Sequence, residues 1–145
     1  MLGGSSVTQA NARRDTDTVP RYRRVLLVED ESALRRVIAR NLTSRGVEVR
    51  EAATVAKALQ MLNTALPDLM LLDINLPDRT GLDVLRDLKR RSIHVPIIVV
   101  SAVQVSQMRL DEFHAMAYLP KPFPIDALLR LVFGSPASDS DVSLH

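Results

Sequence analysis

Apolar residues fall along this chain in two rhythms. Val25-Leu26-Leu27-Val28, Leu69-Met70-Leu71-Leu72 and Ile97-Ile98-Val99-Val100 are short unbroken runs, the pattern of strands buried on both faces. Val47 to Ala52 alternates weakly and predicts a more exposed strand, and Ala117-Tyr118-Leu119-Pro120 predicts a short fifth one. Between these runs the spacing changes to that of helices. Leu34, Val37, Ile38 and Leu42 form one set, with Arg35, Arg36 and Arg40 on other faces and Gly46 where the helix should stop. Thr54 is a suitable N-cap for a second set of Val55, Ala58, Leu59 and Leu62. Leu82, Leu85 and Leu88 predict a helix over 81–91, and Val105, Met108, Leu110, Phe113 and Met116 predict one over 104–116 with mixed spacing. Pro124 opens a last helix bearing Ile125, Leu128, Leu129 and Val132.

Five strands thus alternate with five helices through short connections. Because strand–helix–strand crossovers are right-handed, the pattern predicts an α/β domain: a doubly wound, five-stranded parallel sheet with helices on both faces. Residues 1–22 are polar and without period, and predict a flexible leader. Residues 23–133 form the domain, and 134–145 form a disordered Ser, Pro and Asp tail too short to be a domain. No repeat at a solenoid period is visible.

Composition narrows the class. With 145 residues, 46% hydrophobic and 25% charged, the chain suits one globular domain with a real core. It contains no Cys, so disulfides and thiolate metal sites are excluded. Its apolar runs fall far short of the roughly 20 residues that span a bilayer, and the N-terminus lacks a signal-peptide core, so the expectation is a cytoplasmic protein with no membrane partner. Net charge is +2. Five Arg against Asp15 and Asp17 give +3 over residues 1–24, and Asp139 and Asp141 give −2 after Phe133, which leaves +1 for the body. A nearly neutral body carries no nucleic-acid footprint.

The chemistry gathers at strand ends. The first, third, fourth and fifth strands each deliver polar groups just past their apolar run: Glu29-Asp30, Asp73, Ser101 and Lys121. All strand carboxyl ends of a parallel sheet lie on one edge, so these groups should converge. Gathered carboxylates raise one another's pKa unless a cation sits among them. Two or three oxygens with open water positions suit Mg²⁺. Lys121 can neutralise a phosphoryl oxygen, Ser101 can donate a hydrogen bond to one, and Asp73 can act as a nucleophile through an aspartyl phosphate. Each residue alone could simply end a strand; five arriving together argue for a site.

These residues resemble the receiver domain of two-component response regulators over about residues 23–133. The matching motifs are Val25-Leu26-Leu27-Val28-Glu29-Asp30-Glu31, Leu71-Leu72-Asp73-Ile74-Asn75-Leu76-Pro77-Asp78 with Gly81 beyond, Ile97 to Ser101-Ala102, and Tyr118-Leu119-Pro120-Lys121-Pro122-Phe123. The resemblance implies a flavodoxin-like sheet of order 2-1-3-4-5 and a phosphorylation-controlled signalling receiver rather than a conventional enzyme. Asp73 would accept a phosphoryl group from a sensor histidine kinase or phosphotransfer protein. Asp30, Asp73 and the main-chain carbonyl of Asn75 would bind Mg²⁺, with Glu29 helping through water. Ser101 and Lys121 would contact the phosphoryl oxygens, a cis Lys121-Pro122 bond would aim the lysine inward, and Tyr118 would be the switch aromatic that follows Ser101. A downstream protein and a possible homodimer are the implied partners; binding of nucleic acid is not expected.

Two departures bear on output. The Ser101–Lys121 segment is about two residues short and lacks a Gly-Ala lead-in, so the fourth helix is expected to be short or shifted. Val103 is apolar where many relatives carry a polar group, at a position that gates the attacking water. Alternative readings are a phosphorylation-independent interaction module, a receiver fragment of a longer transcriptional regulator, and a phosphoaspartyl hydrolase of the haloacid dehalogenase type. That hydrolase class calls for an Asp where Asn75 stands. His94 and His114 lack ligand spacing and are expected at the surface. Met61, Met70, Met108 and Met116 are expected to fill the core.

Overall fold

The computed structural model describes residues 21–134; residues 1–20 of the expected leader and the tail from Ser135 onward lie outside the described residues. The strands are β1 (Arg24–Val28), β2 (Glu48–Ala52), β3 (Leu69–Asp73), β4 (Ile97–Ser101) and β5 (Ala117–Pro120). The helices are α1 (Ser32–Thr43), α2 (Val55–Thr64), α3 (Leu82–Arg90), α4 (Gln107–Glu112) and α5 (Ile125–Phe133). All strand pairs are parallel and the sheet order is β2-β1-β3-β4-β5, which is the doubly wound arrangement the pattern predicts.

Period-two alternation divides each buried strand between two cores. Leu26, Val28, Met70, Leu72, Ile97 and Val99 point to the side covered by α2, α3 and α4. Val25, Leu27, Leu69, Leu71, Ile98 and Val100 point to the side covered by α1 and α5. Strands β3 and β4 are buried throughout, whereas β2 at the edge is mostly open. The Thr54 side chain accepts from the Lys57 N–H and caps α2 as expected. Gly46, at φ 88°, supplies the left-handed turn that leads from α1 into β2.

Three expectations change. The fourth helix covers 107–112 rather than 104–116, short as the shortened Ser101–Lys121 segment implied. Its capping N–H groups close at Phe113, and His114 takes φ 55°, which reverses the chain before β5. Met108 is 80% exposed and Met116 42%, so neither fills the core, in contrast to Met70. Val37, at 45%, lies on the solvent side of α1 while Ile38 and Leu42 are buried. His94 and His114 are exposed as expected.

Candidate functional site

The register of the parallel sheet brings the strand-end groups to one edge. Asp73 closes β3 opposite Val100, and Ser101 closes β4 opposite Pro120, one residue before Lys121. The main-chain N–H of Lys121 donates to the Ser101 carbonyl at 2.9 Å, fixing these two residues side by side. Glu29 follows β1, with its own N–H donating to the Ala52 carbonyl at 2.9 Å. Glu29, Asp73 and Ser101 are buried polar residues in an otherwise apolar interior, at 1%, 2% and 0% exposure.

Lys121 is the centre of the charge pattern. Its Nζ lies 2.9 Å from Glu29 Oε1 and 3.0 Å from Asp73 Oδ2, with Glu31 farther off at 3.9 Å. The Lys121-Pro122 bond is cis, as the resemblance implies. Burial works against the lysine's charge, but its hydrogen bonds to Glu29 and Asp73 and their negative charges outweigh it, and its pKa is raised. Glu29 is also pushed above the ordinary glutamate value. Burial is the main cause, and the bonds from Lys121 and from the Glu31 N–H only partly offset it. One lysine thus faces the carboxylates of Glu29 and Asp73 and, farther off, that of Glu31.

Oxygens of Glu29, Asp30 and Asp73 approach within 4.8 Å of one another, and Asp30 is exposed while the other two are buried. An all-oxygen set of three carboxylates with one side open to water fits a hard divalent cation such as Mg²⁺, which keeps several waters. Asn75 lies beside this cluster: its N–H donates to Asp73 Oδ1 at 3.0 Å, and it bridges to Thr80 across the loop.

That loop is closed tightly. The Gly81 N–H donates to the Ile74 carbonyl at 2.7 Å. A Cβ at Gly81 would stand 2.3 Å from the Asp73 main-chain oxygen and 2.9 Å from Ile74 Cα, so only glycine leaves room for this approach. The sequence did not signal the role of Asp78. Its carboxylate accepts the N–H groups of Val55 and Ala56 at 2.9 and 3.0 Å, tying the β3–α3 loop to the start of α2. Those two bonds hold its pKa below the ordinary aspartate value. Asp68 is similar: it accepts the N–H groups of Arg23 and Arg24 at the start of β1.

On the β4 side, Ser101 Oγ accepts the Val103 N–H at 3.1 Å. The Tyr118 hydroxyl donates to the Val103 carbonyl at 3.2 Å, and its ring packs against the core under α3 and α4. Ser101, Val103 and Tyr118 thus form one connected path. A cavity of about 440 Å³ lies at the opposite edge of the sheet, lined by Leu88, Phe113, Pro96, His94 and His114. It contains none of the converging carboxylates, so chemistry rather than size marks the candidate site.

Comparison with known proteins bears on this arrangement. A family model described as the response regulator receiver domain matches residues 25–133. The chain is 42% identical over 106 residues to the KDP operon transcriptional regulatory protein KdpE of Escherichia coli (strain K12), across 72% of this chain and 47% of that protein. It is 34% identical over 110 residues to the DNA-binding transcriptional regulator NtrC of Proteus hauseri, across 74% of this chain and 23% of that one. The chain therefore spans about half the length of KdpE and about a quarter of NtrC. Among solved structures it is similar to the non-phosphorylated HemR receiver domain from Leptospira biflexa, with a TM-score of 0.70 at 30% identity, covering 75% of this chain and 90% of that one. It is also similar to the response regulator TrrA from Thermotoga maritima in complex with Mg(2+)-BeF, with a TM-score of 0.66 at 28% identity, covering 75% and 95%.

Proposed function

The chain belongs to the response regulator receiver domain family, and from that premise we propose that residues 23–133 are a switch set by phosphorylation of Asp73. Receivers are signalling modules rather than conventional enzymes, and here the reacting carboxylate belongs to the protein itself. One observation carries the reading: the buried Asp73 carboxylate, 3.0 Å from Lys121 Nζ, within a cluster of three carboxylates at the strand carboxyl edge.

An Asp73 oxygen attacks the phosphorus of a phosphohistidine on a sensor kinase or phosphotransfer protein. The phosphorus–nitrogen bond breaks, its electron pair returns to the imidazole, and an acyl phosphate forms on Asp73. Asp30, Asp73 and the Asn75 carbonyl would hold Mg²⁺, with Glu29 acting through water, and the ion would supply neutralisation of the phosphoryl oxygens. Lys121 supplies a second positive charge, and the Ser101 hydroxyl supplies a hydrogen bond. When Ser101 Oγ turns to the phosphoryl group it gives up the Val103 N–H, and the Val103–Tyr118 contact passes that change outward. TrrA in complex with Mg(2+)-BeF supports this reading by similarity.

A second reading follows from the relatives. KdpE and NtrC are transcriptional regulators about twofold and fourfold longer than the matched segment. The same switch would then serve as the receiver part of a DNA-binding regulator, with its target outside the domain. Among the described residues no helix is long and apolar enough to cross a membrane.

The test is incubation with acetyl phosphate and Mg²⁺, followed by intact-protein mass measurement. The expected result is one added phosphoryl group on the wild type and none on Asp73→Asn. Equal labelling of the two proteins would overturn the assignment.

A further inference from the structure

Arg35 stands in the first turn of α1, and its place in the sequence marks it only as a polar residue off the apolar face. In the structure it braces the loop that carries two of the clustered carboxylates. Its Nη1 donates to the main-chain carbonyl of Glu29 at 2.8 Å, and its Nε donates to Glu51 Oε1 at 3.0 Å. The Arg35 side chain is 22% exposed and that of Glu51 45%, so the pair is partly shielded from water. Glu51 lies near the end of β2, one residue before the Ala52 carbonyl that receives the Glu29 N–H. Glu29 is therefore held from both sides of its peptide unit, by β2 directly and by β2 through Arg35. The next turn is held as well, because the Glu31 N–H donates to Glu29 Oε2 at 3.0 Å.

We propose that Arg35 is a positioning residue for divalent-cation binding: by clasping the Glu29 carbonyl against Glu51, it fixes the loop that presents the Glu29 and Asp30 carboxylates. The inference rests on the reading that this cluster takes Mg²⁺. Residues that hold a metal-bearing loop from outside govern affinity by keeping the donors in register. Simple electrostatics points the other way. A guanidinium close to a cation site repels the cation, so removing it should tighten binding if charge were its only effect. Weakened binding on loss of Arg35 is therefore a sign that positioning outweighs charge.

The test is calorimetric titration of Mg²⁺ into the unphosphorylated full chain, with no phosphodonor present. Arg35→Met keeps the aliphatic stem and removes both hydrogen bonds; it should weaken Mg²⁺ binding about tenfold, the low end for an outer partner of a metal site. Arg36→Met removes the same charge from the exposed neighbouring position and should leave binding unchanged or slightly tighter. Arg35→Lys keeps the charge but cannot reproduce the planar two-way fork, and should weaken binding in the same direction but less than Arg35→Met; it carries the test if Arg35→Met does not fold. Binding by folded Arg35 variants as tight as that of the wild type, or tighter, overturns the inference and leaves the metal reading intact. Absence of Mg²⁺ binding by the wild type overturns the metal reading, and the inference with it.

Discussion

After Asp73 the chain is tied at several points, whereas the shorter loop after Ser101 is held only around Val103. Both loops leave a five-residue strand buried along its whole course. The first is crossed by the Asn75–Thr80 bridge, closed by the Gly81 N–H on the Ile74 carbonyl, and pinned at Asp78 to the start of α2. It ends in a nine-residue helix with three buried side chains. The second, residues 102–106, is mostly exposed, is held by contacts of Val103 with Ser101 and Tyr118, and ends in a six-residue helix that buries only Leu110. The difference matches two needs of the proposed switch. A nucleophile and its cation require a carboxylate held in one place. A readout requires a segment with few buried contacts, which can change position at small cost.

The largest expected effect comes from forcing the tight loop open. Gly81→Ala places a methyl group against the main chain of Asp73 and Ile74, and neither can yield as a flexible side chain does. It should cost about 3 kcal/mol in urea unfolding, the upper end for overpacking. A loss below about 1 kcal/mol would mean that the loop is not rigid, and the contrast would fail.

A smaller loss is expected from Asp78→Ala, which frees the outer corner of the same loop. The carboxylate's pKa is lowered in the folded protein from an ordinary 3.8 by the Val55 and Ala56 N–H groups. Its contribution is therefore present above pH 3.8 and is lost as pH falls through the lowered folded value. The thermal midpoint of the variant should lie below that of the wild type at pH 7, and the gap should close in acid. A gap that stays constant with pH would show that the charge on Asp78 does not contribute.

The smallest effect belongs to the loosely held loop. Tyr118→Phe removes the exposed bond to the Val103 carbonyl and should cost about 0.5 kcal/mol, the low end for one hydrogen bond. Amide exchange should quicken at residues 102–106 and stay unchanged at 74–81. Equal quickening in both loops would erase the distinction between them.

The sequence made the first region legible and the second only in part. Unbroken apolar runs ending in Glu29, Asp73 and Ser101 located three strand ends, because continuous burial leaves a local mark. The fourth-helix stretch had apolar residues without one consistent face. Nothing local announced that the chain would turn at Phe113 and His114, or that Met108 would face solvent. The supports around the site were hidden for a different reason. Asp78 reaches residues 22 and 23 positions away, and Arg35 reaches Glu51 16 positions away. A polar side chain that pairs across such separations looks, in sequence, like any solvated one.

In the proposed switch Asp73, rather than its acidic neighbours, carries the signal. Treating the protein with acetyl phosphate and Mg²⁺, reducing it with borohydride and mapping the peptides tests this directly, since borohydride converts an aspartyl phosphate to homoserine. The expected product is homoserine in place of Asp73 alone, with Glu29 and Asp30 unaltered. Reduction at Asp30 or Glu29, or no reduced residue in a folded protein that binds Mg²⁺, would contradict it.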